Sequence, residues 1–197
     1  MSTRDDLISR RELLKRAGLT GAAAILAPVL SAQERKPESL TDAETDTLDA
    51  LCARLIPTDD NGPGAKEAQA WRYIDRALAG YLSSSRQAYA TGLADLDRRA
   101  MEMRGMRFAA LAPADQDAVL HAIEATPFFA LVRSHTIQGT FCDPLYGGNA
   151  NFVGWDLLGY PGVRTIVTAD EQKMGVTLKP NHKSAYDYAM FHKASDR

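Results

Sequence analysis

The sequence predicts an all-α protein: a single helical domain of about five main helices with an irregular, glycine- and aromatic-rich C-terminal segment. Three observations predict it. Apolar residues recur at three- and four-residue spacing in successive segments between residues 41 and 141, the pattern of one buried helix face. Each segment is bounded by capping residues, prolines or glycines that start and stop helices. After Phe141 that periodicity disappears. The 197 residues are 45% hydrophobic and 24% charged, which excludes a wholly disordered or collagen-like chain.

The first thirty residues read as an address. Arg10 and Arg11 stand in Ser9-Arg10-Arg11-Glu12-Leu13-Leu14-Lys15, ahead of a short Ala/Gly-rich apolar run, Ala17 to Leu30, broken by Pro28. Paired arginines before a short, weakly hydrophobic segment are the pattern of a twin-arginine export signal. An amphipathic helix fits less well, because residues 17–30 carry no polar face. The run is also shorter than the roughly 20 residues that span a bilayer. Residues 1–32 are assigned to this signal, with cleavage near Ser31 or Ala32, or retention as an anchor. Residues 33–38 are a polar linker. The expected location is the periplasm.

The helices follow in order. Thr41-Asp42-Ala43-Glu44 is a capping box, and Leu48, Leu51, Cys52, Leu55 and Ile56 share the face behind it. Burying each large aliphatic there stabilises by about 1.5–3 kcal/mol. Pro57 ends the helix, and Asn61-Gly62-Pro63-Gly64 is a turn. A second helix is expected from about Ala65 to Leu82, with Trp71, Ile74, Leu78 and Tyr81 on one face. Ser83-Ser84-Ser85 is expected to cap a third, striped by Tyr89, Leu93, Leu96, Ala100 and Met103. Pro113 opens a fourth with Val119, Leu120 and Ile123. Thr126-Pro127 opens a fifth, with Phe128, Leu131, Val132 and His135 on one side. Residues 142–162 hold five glycines, two prolines, Tyr146, Phe152, Trp155 and Tyr160. They read as an ordered, irregular apron without helical periodicity. The tail, 163–197, is polar, with short helices expected near 169–174 and 184–193.

Several chemistries are excluded. Lys+Arg 23 against Asp+Glu 25 gives net −2, with none of the basic surplus that nucleic-acid phosphates require. Two cysteines are too few for a disulfide scaffold, a four-cysteine zinc site or an iron–sulfur cluster. The helical face of Cys52 argues for a buried thiol and against a bond to Cys142. Dinucleotide, c-type haem and phosphate-loop motifs are absent, as are a nucleophile elbow and the helical metal signatures. His135, on an apolar face, reads as a buried histidine bonded to a backbone carbonyl, and His121 as a helix-surface residue four positions after Asp117. A folded-export signal on a chain without a cofactor motif suggests that the cofactor belongs to a travelling partner. The stretch from Gly139 to Asn149, which leads into the apron, allows close backbone approach at its glycines, and its aromatics suit an interface or self-packing.

Several segments stand out together: Leu40-Thr41-Asp42-Ala43-Glu44 with Leu55-Ile56-Pro57, Gly62-Pro63-Gly64-Ala65 with Tyr73-Ile74-Asp75, and Thr136 through Phe141 with Asp143 through Asn149. With Gly154-Trp155 and Gly159-Tyr160-Pro161-Gly162 they resemble the subunit 3 (small subunit) family of gluconate 2-dehydrogenase. The likeness covers about residues 39–162 and leaves the tail unmatched. It implies a non-catalytic accessory subunit of an FAD-dependent flavoprotein of the glucose–methanol–choline type, often joined by a c-type cytochrome carrying haem. That flavoprotein would oxidise a sugar, sugar acid or glycoside, and the small subunit would supply the twin-arginine signal. FAD and haem would lie in the partners, and no catalytic, cofactor-binding or metal residue is carried over. The interface expected here comprises His135, Gln138, Phe141, Cys142, Asp143, Tyr146, Gly147, Gly148, Asn149, Phe152, Trp155 and Tyr160. Tyr146, Phe152, Trp155 and Tyr160 would serve as anchors, while Asp143, Asn149 and His135 orient the loop. The alternatives are a stand-alone periplasmic metal enzyme using His135 and His121, or a signal-anchored structural protein.

Overall fold

The computed structural model describes residues 36–191. Arg10, Arg11, the rest of the signal segment, His192 and the end of the tail lie outside the described residues. Within them the fold is helical, with six α-helices and no strand beyond an isolated bridge between Asp59 and Gly62. In chain order the helices are α1 (Asp42–Leu55), α2 (Ala70–Ala79), α3 (Arg86–Arg104), α4 (Pro113–His121), α5 (Pro127–Phe141) and α6 (Val153–Leu158).

The capping box at α1 forms as expected. Thr41 Oγ1 accepts from the Glu44 amide, and Glu44 Oε2 accepts from the Thr41 amide at 2.8 Å. Burial raises the Glu44 pKa, but the bonds from Thr41 and Arg86 outweigh it and hold the carboxyl below its usual range. Ahead of the box, the buried Asp75 carboxylate of α2 accepts the amides of Glu38, Ser39 and Leu40 at 2.7, 2.9 and 2.8 Å. One carboxylate therefore ties the chain entering α1 to the middle of α2.

The core gathers one face from each of α1 to α5. Leu48, Leu51 and Cys52 meet Ile74 and Leu78, then Tyr89, Leu93, Leu96 and Ala100 of α3, with Val119 and Val132 closing the far side. Phe108, in the turn between α3 and α4, is fully buried among them. Thr126 caps α5 by accepting the Phe129 amide, and Pro113 and Pro127 occupy first-turn positions.

The structure corrects several boundaries. α2 begins at Ala70, not Ala65, because Gln69 sits in the left-handed region at φ 51°. Residues 65–69 make turns instead, with the Ala65 amide bonded to the Ile56 carbonyl. α2 also ends at Ala79, so Tyr81 lies past it at 67% exposure and does not join the buried face. The serine cluster is a 3-10 turn whose side chains make no cap to α3. Met103 is exposed, and Ile123 is buried in the turn after α4. The apron is less irregular than its glycine content suggests. It contains α6 and two 3-10 turns, Pro144–Tyr146 and Ala150–Phe152. Near 169–174 the tail forms turns, not a helix, and near 184 it forms 3-10 turns at Ala185–Asp187 and Ala189–Phe191.

Candidate functional site

A helix leaves its last carbonyls without intrahelical donors, and a buried helix end must find them elsewhere. α5 ends beneath the apron, and the apron supplies them. The Asn149 amide donates to the Gly139 carbonyl at 2.8 Å. Trp155 Nε1 donates to the Phe141 carbonyl at 3.0 Å, and Asn149 Nδ2 to that of Cys142 at 2.8 Å. Asn149 Oδ1 then receives the Gly154 amide at 2.8 Å. This approach needs glycine at two points of the apron. A Cβ at Gly148 would enter the Gly139 carbonyl, and one at Gly154 would enter that of Thr140.

Several expected interface residues are therefore turned inward. Asn149 is fully buried, Gly148 is buried, and Trp155 is 5% exposed. His135 is 7% exposed and faces Tyr89, whose hydroxyl lies 2.9 Å from Nδ1, where a backbone carbonyl was the expected partner. Burial pushes the Tyr89 phenol above its ordinary range and the His135 imidazole below its own. The phenol thus keeps its proton beside a neutral ring, and the two groups share one hydrogen bond.

Others lie further out. Asp143 is half-buried, caps the Leu145 amide at 2.9 Å, and accepts from Ser184 Oγ and the Ala185 amide. Gly147, at φ 100°, ends the Pro144–Tyr146 turn against the Arg76 side chain. Phe152 tilts onto Trp155 with centroids 5.4 Å apart, and exposed Tyr160 meets the Trp155 ring edge-on at 4.9 Å.

Gln138, Phe141, Cys142 and Tyr146 are brought together. They line an apolar groove of about 520 Å³ with Tyr73, Tyr81 and Ile137, between the C-terminal half of α5, α2 and the start of the apron. Tyr73 donates to Gln138 Oε1 at 2.8 Å and shares a short hydrogen bond with the Tyr81 hydroxyl. Burial, then that bond, raises the Tyr73 pKa, and burial raises that of the Cys142 thiol to about 11. Near neutrality both groups keep their protons. The groove presents a mostly apolar lining. Sequence reasoning missed Tyr73, Tyr81 and Ile137. The available signal was Ile137 itself, an apolar residue on the polar side of α5.

The metal-enzyme alternative finds no support in the geometry. His121 is 77% exposed and pairs with Glu124 at 3.1 Å. Asp117 turns instead to Arg54, which binds both its oxygens at 2.7 and 2.8 Å. Among the described residues no three His, Cys, Asp or Glu side chains converge as a metal site. Cys52 and Cys142 are free thiols; Cys52 is buried against Thr136 Oγ1 at 3.3 Å, and burial raises its pKa to about 12. Among the described residues no helix is long and apolar enough to cross a membrane.

Residues 42–162 match the family model described as gluconate 2-dehydrogenase subunit 3. No curated protein and no solved structure matches the chain.

Proposed function

The chain belongs to that family, and from this premise we propose that it is the non-catalytic small subunit of a periplasmic FAD-dependent dehydrogenase acting on a sugar, sugar acid or glycoside. In this reading it escorts a glucose–methanol–choline type flavoprotein through the twin-arginine pathway and then stabilises it. A c-type cytochrome would complete the complex. FAD would be held by the large subunit and haem by the cytochrome. The observation that carries the reading is the family match across the whole helical body and apron. Two features support it. Arg10-Arg11 supplies the export pattern. The Tyr81–Ile137–Tyr146 groove offers an exposed apolar seat without a group poised for acid–base work near neutrality.

The test replaces the address and leaves the folded body alone. Arg10→Lys with Arg11→Lys should strand both this chain and the flavoprotein in the cytoplasm, read by fractionation and flavin content of the periplasm. A flavoprotein that still reaches the periplasm at wild-type level would overturn the escort role.

A further inference from the structure

We propose that residues 163–191 are a releasable strap seated on the aromatic side of the apron, and that a protein partner reaches that side only after the strap lets go. The second half of this proposal rests on the accessory-subunit reading, with the flavoprotein as the partner.

The family match stops at Gly162, and the strap starts at the next residue. The chain turns there at φ 90°, and a Cβ on Gly162 would overlap Asn181 Oδ1. Glycine therefore admits the returning strand. Asn181 bonds to both sides of the turn: its amide donates to the Pro161 carbonyl at 3.0 Å and Nδ2 to that of Val163 at 2.7 Å. Asp143 then receives Ser184 Oγ at 2.6 Å and the Ala185 amide at 2.9 Å. His182 stacks on Phe152 with centroids 5.2 Å apart at 14°, and its Nε2 lies 2.7 Å from Asp156 Oδ1. These contacts form a specific seat.

The seat is built to open. Among the described residues of the strap only Ser184 is buried, while Ile166, Met174 and Phe191 stay exposed. Hydrogen bonds contribute much of this seat, and hydrogen bonds exchanged with water yield little net stability. Segments with few buried apolar contacts occupy the low-stability end of a fold. Beneath it the backbone is strained, since Asn149, Asn151 and Phe152 all adopt positive φ. Opening would uncover Phe152, which shares the Trp155 ring with the already exposed Tyr160, and so enlarge the apolar surface there.

The experiment compares the full wild-type chain with Gly162→Ala and with His182→Ala/Ser184→Ala. The double variant touches the strap alone. Amide hydrogen exchange should show Asn181 and Ala185 protected in the wild type. Both variants should exchange there up to about tenfold faster, with α1 to α5 unchanged. A strap closed in about nine-tenths of molecules withholds its face about tenfold. The purified flavoprotein that accompanies the tagged chain should accordingly bind both variants about tenfold more tightly. Unprotected amides at 181 and 185 in the wild type would overturn the strap. A loosened strap with unchanged or weaker flavoprotein binding would overturn its role as a cover. If no form of the chain binds the flavoprotein, the accessory reading fails and the covering role with it, while the exchange result still decides the seat.

Discussion

His135 shows how one side chain records its surroundings. Its ring stacks on Tyr89 with centroids 6.0 Å apart, and Nδ1 meets the hydroxyl. Burial holds its folded pKa below the ordinary value. In the unfolded chain the same ring takes a proton near about 6.5. Between those two points the unfolded state binds more protons, so stability rises with pH. The associated stability is intact above about 6.5, declines as pH falls below it, and stops declining once the folded ring is protonated too. His135→Gln keeps an acceptor for Tyr89 and removes the titration. The midpoint of thermal unfolding should therefore fall less between pH 7.5 and pH 5 in the variant than in the wild type. Equal slopes would assign the acid sensitivity to other groups. Burial of His135 was legible in its position on the apolar side of α5. Its partner was not, because Tyr89 lies 46 residues away on another helix.

At the scale of elements, α2 and α5 meet where Gly139 lies against the backbone of α2. A Cβ there would stand 2.7 Å from the Ala70 carbonyl oxygen and 3.1 Å from the Tyr73 Cβ. The helices must separate to admit it, and overpacking of this kind costs about 1–3 kcal/mol. Gly139→Ala should lower the urea midpoint accordingly, and an unchanged midpoint would mean that the seam is slack. The helices of the body were legible because periodicity and capping agree over 14 residues in α1 and 15 in α5. α6 was not, since six residues with a glycine among them are too short to display a period. The start of α2 was lost for a different reason: a left-handed Gln69 has no signature in composition.

Across the whole molecule, the apron divides into an inner part and an outer one. Its inner members, Asn149 and Trp155, complete the end of α5, so truncating them would damage the body before any partner is consulted. The sequence singled out this block but could not separate these two duties, because helix-end carbonyls and partner surfaces both call for aromatic and amide side chains. The outer groove can be tested cleanly. Ile137→Asp places a charge on an exposed position of the groove, and a surface substitution of this kind usually changes stability by less than about 0.5 kcal/mol. In the proposed complex it should weaken flavoprotein recovery about tenfold or more, since anchor residues contribute 2 kcal/mol or more. Full recovery at unchanged stability would move the docking seat elsewhere. The Asp75 tie has its own consequence. All three amides that it grips belong to Glu38, Ser39 and Leu40, so a peptidase cutting anywhere upstream of Pro37 severs none of those bonds. In the proposed escort role, a signal segment could therefore be clipped without unsealing the first helix of the body.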